Sequence, residues 1–247
     1  ALAEGAHTFV AAARDRAGNV SADSADFTVT IDLTAPAAPV ITSYTDDNGT
    51  SDNRTNDTIL VLSGTSEANA TIEVFDGSTS LGTTLADGSG AWSFATGTLT
   101  EATHSFTATA TDGAGNTSVA SAAFPVVIDL TVPAAPAITS YASDNGTADN
   151  QTNDTTLVLS GTAEANAVVT VSDGATVLGT TTADGSGAWS FATGTLSEAT
   201  HSFTATATDA AGNTSVASAA FPVIVDLTAP AAPVITGFDD DTGTADG

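Results

Sequence analysis

The strongest constraint on this chain is an internal repeat with a period of 97 residues. Segments 32–128 and 129–225 are identical at 78 of 97 positions, and the pattern Asp-Leu-Thr-x-Pro begins at residues 32, 129 and 226. A fixed period of this length means that one structural unit is used again and again. The chain is therefore predicted to fold as consecutive modules of one kind.

The repeat also predicts the module boundaries. Residues 32–128 and 129–225 are expected to be two whole modules. Residues 1–31 match 98–128 at 16 of 31 positions, which predicts the C-terminal part of a preceding module. Residues 226–247 align with the first 22 residues of a module and are expected to begin a following one. We therefore expect the chain to be a window from a longer array.

Hydrophobic residues alternate with polar ones within each module, and no helical stripe is present. In the first module, strands are predicted at 38–43, 58–65, 70–76, 79–86, 90–96, 103–111 and 117–128. Seven short strands in 97 residues predict an all-β fold, in which tandem immunoglobulin-like β-sandwich modules form a rod. The predicted core side chains are Leu60, Leu62, Ile72, Val74, Trp92, Phe94, Phe106 and Phe124.

Composition excludes several classes of function. The chain contains 29 acidic residues, three arginines and no lysine. The resulting formal net charge of −26 argues against nucleic acid or an anionic membrane as a partner. With 41% hydrophobic and 13% charged residues, the chain is too apolar for a disordered acidic tail. It contains no cysteine, which excludes disulfides and thiolate chemistry. No apolar run approaches the roughly 18 residues of a membrane helix, and no secretory signal is expected at the N-terminus.

Three sequence runs in the first module resemble a known family. They are LSGTSEANA at 62–70, ADGSGAWSF at 86–94 and HSFTATATDGAGN at 104–116. Together they resemble the bacterial Ig-like repeats of giant, RTX-type, type I secreted adhesins of Gram-negative bacteria. The resemblance implies an extracellular, non-enzymatic extender array in which calcium at the module junctions stiffens the rod.

Acidic residues are predicted to form a calcium site at the end of each module where the chain enters. In an immunoglobulin-type sandwich, the loops after the second, fourth and sixth strands gather at that end. The first module would bring together Asp32, Glu67, Asp112 and Asn116, and the second would bring together Asp129, Glu164, Asp209 and Asn213. Carboxylates in one place repel one another. Ca²⁺ binds six to eight oxygen ligands and would relieve that repulsion.

The loop between the first and second strands lies at the opposite end and would add acids across a junction. These further candidate ligands are Asp46, Asp47, Asp52, Asp57, Asp144, Asp149 and Asp154, together with Asp226 of the third linker. The loop 46–57 does not match an EF-hand, which needs Gly at position 6 and Glu at position 12.

A competing interpretation of these residues is that Asp and Asn merely stabilise turns. The charge balance favours calcium. Residues 32–128 carry 11 acids and one Arg, a net charge of −10, and residues 129–225 carry nine acids and no cation, a net charge of −9.

Catalysis has little support in the sequence. His7, His104 and His201 occupy equivalent positions before the sixth predicted strand, but none belongs to a recognisable nucleophile motif. A surface histidine that packs its ring at the start of a strand is the expected role.

The favoured function is a non-enzymatic structural extender whose partners are the neighbouring repeats of the same chain. Any surface or host ligand would be bound by domains outside this window. Two alternatives stay open, namely a carbohydrate- or receptor-binding module and an accessory domain of an extracellular enzyme. A binding module would need exposed aromatic residues that differ between copies, and the notable aromatic difference is Phe75, which is Ser172 in the second module.

Overall fold

The computed structural model describes residues 1–45, 52–142 and 150–237, and every regular element in these ranges is a β-strand. The chain divides into two compact units, one formed by Ala1–Val132 with Asp209–Asn213 and the other by Pro133–Thr208 with Thr214–Gly247. Nowhere in the described ranges is there a helix of the length and apolar character that crossing a bilayer requires.

The first unit contains a two-stranded sheet and one β-sandwich. Its strands are β1 (Gly5–Phe9), β2 (Phe27–Ile31), β3 (Val40–Tyr44), β4 (Arg54–Thr55), β5 (Val61–Thr65), β6 (Thr71–Asp76), β7 (Thr79–Leu85), β8 (Ala91–Ala95), β9 (Ala102–Thr111) and β10 (Phe124–Ile128). Strands β1 and β2 pair with each other. The sandwich packs the sheet β3-β5-β8 against the sheet β4-β10-β9-β6-β7. All of these pairs are antiparallel except β4 with β10.

The second unit repeats the sandwich. Its strands are β11 (Ala137–Ala142), β12 (Gln151–Thr152), β13 (Val158–Thr162), β14 (Val168–Asp173), β15 (Thr176–Thr182), β16 (Ala188–Ala192), β17 (Ala199–Thr208) and β18 (Phe221–Val225). The sheets have the orders β11-β13-β16 and β12-β18-β17-β14-β15. The predicted fold class, all-β with tandem immunoglobulin-like sandwiches of 97 residues, is therefore confirmed.

The core lies between the two sheets and contains most of the predicted side chains. Leu60, Leu62, Ile72, Val74 and Phe106 are fully buried, and Trp92 is 4% exposed. Phe94 and Phe124 are only partly buried and pack against the edge of this cluster. The alternation along β9 is as predicted, because Phe106, Ala108 and Ala110 are buried while the threonines between and after them are only partly buried. The equivalent residues fill the second core.

Two predicted strands begin three or more residues too early, the other predicted limits lie within two residues of the observed ones, and one strand was missed. The second predicted strand begins at Val61 because Leu60 donates its backbone N–H to the side chain of Thr96. The last predicted strand begins only at Phe124. Ahead of it, the hydroxyls of Ser118 and Ser121 accept the backbone N–H groups of β9 in place of a regular ladder. The two-residue strand β4 was not predicted.

The strands β1 and β2 form a hairpin with an open apolar face. Phe9 and Phe27 are 45% and 67% exposed, whereas Phe106, the equivalent of Phe9 in the first sandwich, is fully buried. In the described part of the chain no second sheet covers this hairpin. A two-stranded hairpin alone is only marginally stable in water.

Candidate functional site

A closed turn forms around Asp112 in the loop between β9 and β10. Its Oδ1 accepts the backbone N–H groups of Ala114 at 2.8 Å and Asn116 at 2.9 Å, and its Oδ2 accepts the side-chain amide of Asn116 at 2.8 Å. The side chain of Asn116 is the main cause of the lowered pKa of Asp112, because these bonds stabilise the carboxylate. The same turn is built at Asp15–Asn19 and Asp209–Asn213.

A second recurring structure is the turn that opens each linker. Asp32 Oδ1 accepts the backbone N–H of Thr34 at 3.0 Å, and the Thr34 hydroxyl donates to Glu4 Oε1 at 2.6 Å. The same bonds join Asp129, Thr131 and Glu101, and again Asp226, Thr228 and Glu198. Glu4 and Glu101 directly precede β1 and β9, so each threonine bonds the start of a linker to the residue before β1 or β9.

The turn and the linker meet at one point. Asn116 Nδ2 donates to the carbonyl oxygen of Asp32 at 3.3 Å, and Asn213 Nδ2 donates to the carbonyl oxygen of Asp129 at 2.8 Å. Three of the four ligands predicted in the first set, Asp32, Asp112 and Asn116, are therefore linked by hydrogen bonds. The fourth, Glu67, is exposed in the loop between β5 and β6.

The equivalent residues of the second set are divided between the two units. Asp129, Asp209 and Asn213 belong to the first unit, and Glu164 is exposed in the second. Arg54 Nη1 lies 3.8 Å from Asp129 Oδ2, and both side chains are partly exposed. Such a pair adds little to the free energy of unfolding, but it places a cation beside a predicted calcium ligand.

The described acids of the loops after the first strand also bond locally. Asp52 Oδ1 accepts the backbone N–H of Arg54, and Asp154 Oδ1 accepts the backbone N–H of Thr156. Asp57 donates its own backbone N–H to the hydroxyl of Thr55. The predicted ligands Asp46, Asp47, Asp144 and Asp149 lie outside the described residues.

The donor chemistry of these turns fits a hard cation, since carboxylate and carbonyl oxygens are the ligands that Ca²⁺ prefers. The described residues, however, contain no group of three or more His, Cys, Asp or Glu side chains placed to hold a metal ion. The carboxylates of Asp32 and Asp112 instead accept N–H groups of their own turns. Calcium at these positions therefore remains a prediction.

Within the described residues, each sandwich contains a histidine–aspartate pair that the sequence did not reveal, with a buried histidine and a partly exposed aspartate. His104 is 8% exposed; its Nδ1 lies 2.6 Å from Asp76 Oδ2 and its Nε2 lies 2.9 Å from the carbonyl oxygen of Thr100. Asp76 Oδ1 also accepts the backbone N–H of Ser105. Both ring nitrogens face acceptors, so the geometry suits the doubly protonated imidazolium.

The environment supports that protonation state. Burial opposes the charge on His104, but the bonds to Asp76 and to the Thr100 carbonyl together raise its pKa above the ordinary value. The His201–Asp173 pair of the second sandwich has the same geometry and the same upward shift in the pKa of His201.

The expected role of this histidine was partly wrong. The ring does pack at the start of a strand, with its centroid 5.9 Å from that of Phe106, but the side chain is buried rather than on the surface. One feature of the sequence pointed to the pair. The equivalent positions 76 and 173 are both aspartate, and each is followed by a turn glycine.

Two successive immunoglobulin-like sandwiches define the class of this protein. The sequence profile of the bacterial Ig-like domain matches residues 34–130 and again residues 131–227, so the chain belongs to the bacterial Ig-like domain family. No curated protein sequence matches the chain.

Three solved structures show similarity to this chain. The fibronectin(III)-like modules of Clostridium thermocellum CbhA share 16% identity, with coverage of 74% of this chain and 94% of that one and a TM-score of 0.46. A tetra-tandem repeat from the extending region of a large adhesion protein shares 26% identity over 91% of this chain and 58% of that one, with a TM-score of 0.33. The BSP domain of a biofilm associated protein shares 28% identity, with coverage of 72% of this chain and 29% of that one and a TM-score of 0.30. The chain spans less than two thirds of the last two.

Proposed function

We propose that the chain is a non-enzymatic structural extender in a bacterial surface adhesin. The observation that carries the proposal is the direct repetition of one bacterial Ig-like domain with 78 of 97 residues unchanged. A second copy with nearly the same sequence adds length rather than a new binding specificity. Two of the three histidines, which are the conventional candidates for acid–base catalysis, are buried in structural pairs with Asp76 and Asp173.

Calcium is the second part of the proposal. We propose that Ca²⁺ binds where a linker aspartate approaches the Asp-x-x-x-Asn turn of the following module and fixes the orientation of successive modules. The support is the net charge of −26, together with the hydrogen-bonded groups of Asp32, Asp112 and Asn116. The two prolines in each linker restrict the backbone but leave rotations that a bound metal would remove.

Chelation of calcium should shorten the protein in solution. Small-angle scattering of the full chain is expected to give a larger maximum dimension with calcium than with EGTA, because metal at the junctions would limit bending. The Glu73→Thr variant is a suitable control, since it copies the second module and removes one charge from a sheet rather than a junction. An unchanged maximum dimension would remove calcium from the proposal and leave the extender role standing.

Calcium should also raise the melting temperature of the protein. A ligand that binds only the folded state stabilises it by about 2.7 kcal/mol at a hundredfold excess over Kd. Magnesium should do less, because it keeps its waters and prefers rigid octahedral sites. Asp129→Ala and Asp209→Ala should each lower the number of calcium ions bound in titration calorimetry, and Glu73→Thr should not. Equal shifts with calcium, magnesium and sodium would indicate screening of the net charge instead.

A further inference from the structure

Asparagine is distributed unusually in this chain. Ten of its eleven asparagines are followed, two residues later, by serine or threonine, and the residue between is never proline. Asn-x-Ser/Thr is the acceptor motif for N-linked glycosylation. Eight of these motifs lie in the described residues, while Asn48 and Asn145 lie outside them.

The motifs differ in whether the side-chain amide of the asparagine and the hydroxyl two residues later are accessible in the folded protein. The side-chain amides of Asn19, Asn116 and Asn213 donate to the aspartates that begin their turns. The motifs of Asn53 and Asn150 place their threonines at positions 55 and 152, which are 0% and 2% exposed. A transferase must engage both the amide and the hydroxyl of a motif. In the folded protein it could therefore modify none of these five asparagines.

Asn69 has both groups exposed. It lies in the loop between β5 and β6 with a left-handed φ of 62°, and in the described structure its side-chain amide has no hydrogen-bond partner. Thr71, the first residue of β6, is also exposed. The motifs of Asn56 and Asn153 rank behind it, because their threonines are half-buried.

The second module provides a natural comparison. Asn166 takes a φ of 64° and donates its backbone N–H to Asp184, as Asn69 does to Asp87. The difference lies two residues later, where Val168 replaces Thr71. The two loops therefore share their geometry and differ in the hydroxyl that the motif requires.

We propose that Asn69 carries an N-linked glycan and that Asn166 does not. In the reaction, Asn69 Nδ2 forms a bond to the anomeric carbon of an activated sugar and loses a proton, and a nucleoside diphosphate or lipid pyrophosphate leaves. No group is oxidised or reduced. The proposal goes beyond the extender function and does not depend on calcium. A negative result for the glycan would therefore leave the extender function untouched, and the reverse is also true.

The test uses the protein isolated from the cells that make it. Residues 55–247 contain no Lys or Arg, so trypsin is unsuitable, but cleavage before aspartate releases peptides 57–75 and 154–172, which contain Asn69 and Asn166 as their single asparagines. Mass spectrometry should find a sugar on the first peptide and none on the second. The added mass identifies the donor, because nucleoside diphosphate sugars deliver single residues and lipid pyrophosphates deliver whole oligosaccharides.

Two exchanges between the modules complete the test in the same cells. Thr71→Val should abolish the modification of Asn69, and Val168→Thr should create one at Asn166. Each variant copies the residue of the other module, so both should fold, which circular dichroism would check. A bare Asn69 in the native protein, or equal modification of both asparagines, would overturn the proposal.

Discussion

Replacement of Gly64 by alanine should destabilise the first module by about 3 kcal/mol, at the upper end of the usual range for overpacking. Gly64 lies on β5, and a Cβ added there would be 2.1 Å from the carbonyl oxygen of Val40 and 2.4 Å from the Trp92 ring. The carbonyl belongs to the paired strand β3, which cannot move without breaking its ladder to β5. The indole is itself held in the core.

Hydrogen exchange followed by mass spectrometry would measure this effect one module at a time. Peptides from the first sandwich should lose protection in Gly64→Ala, while those of the second should keep it. Gly88→Ala is the matched control, since a Cβ there meets nothing within 4 Å. Equal protection in the two variants would show that the approach of Trp92 to Gly64 does not limit side-chain size.

The second large effect should come from the buried histidine–aspartate pair. Asp76→Asn leaves one acceptor oxygen where His104 Nδ1 and the backbone N–H of Ser105 now use two, so one of these donors loses its acceptor, at a cost of about 2 kcal/mol. The pKa of His104 should fall, because burial opposes its charge and the favourable interaction with Asp76 is lost. Histidine titration by NMR would measure this, with His201 as an unaltered reference in the same molecule. An unchanged pKa of His104 would contradict the assignment.

The wild-type pair also predicts how stability depends on pH. The pKa of His104 and of His201 is raised above 6.5 in the folded state. Their contribution is therefore complete below pH 6.5 and is lost as the pH rises through the higher folded-state value. The pKa of Asp173 is lowered from 3.8, since the bonds to His201 and Ser202 outweigh the effect of burial. That contribution is present above pH 3.8 and is lost as the pH falls through the lower folded-state value.

Denaturant unfolding at a series of pH values should therefore show the pair contributing most between about pH 4 and 6.5. In a chain carrying Asp76→Asn and Asp173→Asn together, the decline on the alkaline side should be weaker than in the wild type. An equally steep alkaline decline in this double variant would assign the pH dependence to groups other than the two pairs.

Repeated and alternating residue patterns were enough to predict tandem modules of one fold, the strand periodicity and most of the core. These features are local or repetitive. Alternation along β9 is enough to assign Phe106 to the inside, and a period of 97 residues is enough to predict two modules of one fold. Burial follows from such patterns because a strand has only two faces.

The contacts between polar groups, in contrast, depend on how distant strands pair and how the loops close. His104 and Asp76 are 28 residues apart and come together because β6 and β9 pair in one register. Ser118 and Ser121 replace a ladder that the alternating pattern had predicted. The carboxylate of Asp112 accepts three hydrogen bonds within its own turn. Composition shows that acids are abundant, but strand register and loop closure decide which donors each carboxylate can reach.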